Sequence, residues 1–158
     1  MDFRISGLPL APFAPLFGLS EQALAAQGVL RRIADKTPGF PCRISLQEAD
    51  IGEPVLLLNY EHLAVASPYR SRHAIYVREH AAERSLDVNE VPDVIGRRLL
   101  SVRGFDGKGM MVEADVVEGT RLTPLIQRWL ENPCIDYLHL HNAKPGCYAA
   151  RVDRARSP

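Results

Sequence analysis

Two histidines two residues apart, His139 and His141, stand in the alternating run Tyr137-Leu138-His139-Leu140-His141. On a strand this spacing projects Tyr137, His139 and His141 from one face and Leu138 and Leu140 from the other. Two imidazoles side by side can ligate a transition metal or work as general acid and base. A metal needs a third ligand, for which the sequence offers Cys147, His62 or His73 without saying which is near. The competing reading is that both histidines are structural or face solvent.

Cys42 lies between Pro41 and Arg43, whose fixed charge is the kind of neighbour that turns a thiol into a nucleophile. Cysteine is equally at home as a small core filler. Arg70, Arg72 and His73, joined by Arg43 and Arg151 if the fold brings them together, supply the guanidinium forks that clamp a carboxylate or phosphate. Asn59, Tyr60, Glu61 and His62 form the polar end of an apolar run and could orient a ligand there. Glu113 and Asp115 share a strand face opposite Val112, Ala114 and Val116, which assigns them to solvent rather than to a catalytic carboxylate pair. Asp106-Gly107-Lys108-Gly109 lacks phosphate-loop spacing and reads as a turn.

Several elements must carry these residues. The continuous apolar start of Val55–His62 predicts a central strand buried on both faces. Alternation predicts strands over Val29–Ala34, His73–Glu79, Cys134–His141 and Cys147–Asp153, and a hairpin joins Leu100–Phe105 to Met110–Val117 through its two glycines. Ser20 caps a helix over about 20–27, and a second short helix covers 91–99. From Thr120 to Glu131, Leu122, Leu125, Ile126, Trp129 and Leu130 make one apolar stripe, a buried helix face that Asn132-Pro133 ends. Pro9, Pro12 and Pro15 match the three-residue turn of polyproline II, so residues 1–19 read as an apolar arm docked on the domain. The basic end, 154–158, is expected to fray.

At 158 residues, with 46% hydrophobic and 24% charged residues, the chain has the size and make-up of one globular domain. Nineteen basic residues against nineteen acidic ones leave no field to draw in nucleic acid or an anionic membrane. No apolar run approaches the roughly 18 residues of a membrane span, and the prolines interrupt the one stretch that resembles an export signal. Three cysteines without CxxC spacing fit neither a disulfide framework nor a zinc knuckle, so a reducing cytoplasmic setting is expected. Strands outnumber helices, which predicts a single α+β domain with a mixed, mostly antiparallel sheet and two or three covering helices.

Gly39-Phe40-Pro41-Cys42-Arg43, the strand Val55–His62, Ser67-Pro68-Tyr69-Arg70-Ser71 with Ile75–Glu79, and the ending His139–Ala143 with Gly146-Cys147 and Arg151 together resemble a bacterial family, the domain of unknown function 1203. The resemblance spans nearly the whole chain. It implies one compact domain and no particular activity.

The function expected from these residues is a pocket for a small anionic ligand, lined by His and Arg, in which histidine acid/base or metal-assisted hydrolytic or transfer chemistry can operate. The alternative is an interaction protein without a reaction, recruiting a partner or a second copy of itself through the proline-rich arm or a sheet edge. Convergence of the histidines and arginines separates the two.

Overall fold

The computed structural model describes residues 1–155. Its elements run β1 (Phe3–Ser6), α1 (Glu21–Ala25), β2 (Leu30–Ile33), β3 (Pro54–Leu63), β4 (Ser71–Arg78), α2 (Asp93–Gly96), β5 (Leu99–Phe105), β6 (Met111–Glu118), α3 (Leu122–Leu130), β7 (Tyr137–Asn142) and β8 (Tyr148–Arg154). This is the expected α+β domain, with its strands divided between two sheets rather than gathered in one. Five strands pair antiparallel in the order β1-β8-β7-β5-β6, and three more in the order β2-β3-β4. Among the described residues no helix is long and apolar enough to cross a membrane.

The five-stranded sheet has two different faces because its strands alternate. Leu138, Leu140, Leu100, Val102, Ala150 and Val152 turn toward α3, where Leu122, Leu125, Ile126, Trp129 and Leu130 complete one core cluster. The apolar stripe of the sequence is thus the buried face of α3, as its spacing requires. The opposite face carries Phe105, Tyr137, His139 and Tyr148 and is covered by the three-stranded sheet. Leu56, Leu58, Ile75 and Val77 of β3 and β4 pack there with Tyr148. β3 is central in its sheet, flanked by β2 and β4.

Three local readings change. Residues 14–16 form a 3-10 turn with Pro15 in its first positions, so the segment coils and is not a polyproline II arm. Burial of Phe13 beside Leu24 and Leu56 overrides the proline spacing. Phe3–Ser6 is a strand, paired with β8 from Phe3↔Arg154 to Ser6↔Arg151. Arg154, placed in the fraying tail by its sequence neighbours, is instead fixed in β8, where its guanidinium donates to the carbonyls of Leu130, Asn132 and Ile135. The rest of that tail, 156–158, lies outside the described residues. The hairpin forms as expected, with Gly109 at positive φ and the Asp106 carboxylate accepting from the Lys108 and Met110 amides.

A three-histidine candidate site between the sheets

The pairing of β5, β7 and β8 decides what faces the space between the sheets. Ser101 lies opposite His141, Arg103 opposite His139 and Phe105 opposite Tyr137. On the other side Arg151 lies opposite His139 and Tyr148 opposite His141, with a bulge at Ala149 between them. The bulge lets Ala149 and Ala150 both join the α3 core while Tyr148 and Arg151 both face the histidines. From the second sheet, β3 delivers His62, whose ring stacks on Tyr148 at 5.5 Å and stands 4.8 Å from the His141 ring and 6.0 Å from the His139 ring.

His62, His139 and His141 can each place one ring nitrogen within 4.8 Å of the others'. Three of their nitrogens, His62 Nδ1, His139 Nδ1 and His141 Nε2, are buried without a hydrogen-bond partner among the described residues. The other nitrogen of His141 is fixed: Nδ1 meets the Gly146 carbonyl at 3.0 Å, so it carries the hydrogen and Nε2 keeps its lone pair. Gly146 can present that carbonyl because it sits at φ +78°, a backbone shape that suits glycine.

Burial dominates the electrostatics. It lowers the His139 and His141 pKa values to about 3 and that of His62 to about 4, with the Arg103 charge pushing all three the same way. All three imidazoles are neutral at pH 7, the state in which they ligate metals. The Arg103 guanidinium reaches Ser101 Oγ at 3.3 Å and has no carboxylate within 4 Å among the described residues. Arg151 is balanced by Asp153 and lies over the Tyr137 ring, 3.9 Å from its centroid.

The sequence candidates separate into groups. His62, His139 and His141 converge, and Arg151 borders them. His73, on β4, lines a neighbouring cleft with Arg43 and Cys147. Cys147 is not a third metal ligand in this arrangement, because its Sγ sits against Arg43 and Asn142. Cys42 is 1% exposed, and its sulfur accepts from the amides of Ser45 and Arg78, so the structure places it in the core. Asn59 and Arg70 are exposed and occupied, Asn59 with Arg72 and Arg70 with Glu61. Tyr60 packs on Phe13 at 5.6 Å, and burial raises its pKa. Arg103, Tyr148 and Asn142 belong at these sites and were not singled out by the sequence.

A family model described as a protein of unknown function, DUF1203, matches residues 39–154. The chain belongs to that family. The matched span contains all three histidines of the cluster, Arg103 and Cys147, and leaves out β1, α1 and β2. No curated protein and no solved structure matches the chain.

Proposed function

We propose that the protein is a metal-dependent enzyme of the hydrolytic or transfer class, acting on a small anionic substrate, with His62, His139 and His141 as the metal ligands. One observation carries this reading: three neutral imidazoles from two different sheets, two of them buried and His62 half-buried, bring one nitrogen each within 4.8 Å of one another, and each ring has a buried nitrogen with no partner among the described residues. Burying a polar nitrogen without a partner costs on the order of 1–3 kcal/mol, and three together are a heavy charge for packing alone. A divalent ion would repay all three. Ligands on a tetrahedral zinc would stand about 3.4 Å apart, so nitrogens now within 4.8 Å of one another would have to draw closer to hold it.

Three protein ligands leave a fourth position open, the pattern of catalytic rather than structural zinc. Such an ion supplies a Lewis acid and a water that ionises near neutral pH. The chain's own residues set the rest. Three neutral ligands do nothing to offset a divalent charge, and the unpaired Arg103 adds another positive charge, so the site as a whole favours an anion. Arg103, opposite His139 in the register, would hold that anion, and the Gly146 carbonyl keeps His141 in the required tautomer. Tyr148 stacks on His62 and Phe105 stands edge-on to His139, so both rings hold the orientation of the proposed ligands.

The test is turnover of p-nitrophenyl esters by the zinc-loaded and the chelator-treated chain. Metal-dependent hydrolysis should disappear in His141→Ala. Arg103→Gln should raise KM for a phosphate or carboxylate ester by about tenfold or more, and much less for a neutral ester. No metal-dependent turnover of any ester would contradict an enzymatic role.

A further inference from the structure

A second cleft, of about 540 Å³, opens on the other side of the turn from Asn142 to Cys147. Its walls come from residues 39–43, β4 and the start of β5, and its chemistry is independent of the three histidines. Arg43 lines it while only 2% exposed. The guanidinium donates from Nε to the Tyr148 carbonyl at 2.8 Å, from Nη1 to the Pro41 carbonyl at 2.6 Å and from Nη2 to Cys147 Sγ at 3.0 Å. No carboxylate lies within 4 Å of it among the described residues, and burial lowers its pKa, with Cys147 opposing that effect. A buried cation paired only with neutral acceptors is an expensive arrangement that an anion relieves.

Asn142 supplies the second observation. It lines the same cleft at 7% exposure and donates from Nδ2 to Cys147 Sγ at 3.5 Å, while its Oδ1 is buried without a partner. That oxygen needs a donor. Of the remaining basic groups, Arg98 is engaged by Glu48, whereas Lys144 stands exposed on the cleft wall with no acidic partner among the described residues.

We propose that this cleft is a reactive-thiol site for small molecules that carry a carboxylate or phosphate together with a hydrogen-bond donor. Arg43 and Lys144 take the anion, Asn142 Oδ1 accepts from the donor, and Cys147 Sγ attacks an electrophilic carbon of the bound molecule. The Arg43 guanidinium, 3.0 Å from the sulfur on the cleft wall, is what distinguishes Cys147 from Cys134. In the step an S–C bond forms, the leaving group departs with the electron pair of its bond to that carbon, and the thiol proton passes to solvent.

Cys134, which is exposed, serves as a reference within the same chain. The native protein is alkylated to low extent with iodoacetate or iodoacetamide, and each cysteine is read by peptide mass mapping. The ratio of iodoacetate to iodoacetamide labelling should be about tenfold or more higher at Cys147 than at Cys134, as focusing of anions in a basic cleft predicts. Arg43→Lys, which keeps the charge and loses the fork, should reduce that preference, and the wild-type comparison stands if the variant does not fold. Glycolate, an anion with a donor, should protect Cys147 at lower concentration than acetate. Equal ratios at Cys147 and Cys134, or Cys147 unlabelled by both reagents while Cys134 reacts, would overturn the site; equal protection by glycolate and acetate would overturn the role of Asn142. None of the three histidines enters the measurement, so this site and the metal centre fail separately.

Discussion

Lowering the pH from 7.5 to 5.5 should destabilise the metal-free protein by about 3 kcal/mol through His139 and His141. In the unfolded chain each histidine takes up its proton near pH 6.5, whereas in the fold burial delays protonation to about pH 3. The unfolded state therefore binds more protons throughout the window from 6.5 down to 3, and stability, complete above that window, falls as the pH drops into it. At pH 5.5 the unfolded histidine is about ten parts protonated to one neutral, which costs about 1.4 kcal/mol per residue, and at pH 7.5 almost nothing. Two residues give about 3 kcal/mol. His62 adds in the same direction but is half-exposed, and solvent screening keeps it out of the sum. The lowered carboxylates, Glu61 and Glu79, begin to contribute only below about pH 4.5, outside the comparison. Urea unfolding followed by Trp129 fluorescence, in the presence of a chelator, measures the difference, and the double variant His139→Gln/His141→Gln should flatten the profile between the two pH values. A wild-type change below about 1 kcal/mol, or a gain of stability on acidification, would refute the claim that these imidazoles are held neutral by burial.

Truncation of Trp129 to Ala should cost about 3–5 kcal/mol in chemical denaturation, because the ring is 7% exposed in the α3 core; a loss below about 1 kcal/mol would make that face peripheral. Glu79→Ala should lower the thermal unfolding midpoint, since it removes the carboxylate that accepts from Arg31 and the Gly18 amide and leaves Arg31 with Glu21 as its remaining acid; an unchanged midpoint would show that the pair contributes nothing. Thiol titration of the unfolded, unreduced protein should find three groups, since Cys42, Cys134 and Cys147 are all free, and a count of one would reveal a disulfide.

Much of the fold is legible in periodicity. The stripe from Leu122 to Leu130, the apolar run of β3 and the glycine-closed hairpin each state their burial locally, and each appears where the pattern puts it. Same-face histidines were equally legible, because a two-residue spacing on a strand has one geometric meaning. What could not be read was long-range register. His62 meets His139 and His141 only because β3 lies in a second sheet packed across β7 and β8. Tyr148 was hidden for a different reason: strict alternation along β8 would group it with Ala150 and Val152, and only the bulge at Ala149 turns it toward His62. Arg103 looked like any charged residue of a hairpin until pairing set it opposite His139. Arg70, Arg72 and Asn59 illustrate the reverse error, since a cluster of polar types in the sequence satisfied its own hydrogen bonds at the surface. Cys42 likewise read as chemistry beside Arg43, while the fold sends that guanidinium to Cys147.

Isothermal titration of the chelator-treated protein with zinc at pH 7.5, in wild type and in His62→Ala, His139→Ala and His141→Ala, tests the central claim most directly. The wild type should bind one ion per chain, and each variant that remains folded by circular dichroism should lose at least about tenfold in affinity. An absence of saturable zinc binding in the wild type, or binding that survives unchanged in all three variants, would contradict it.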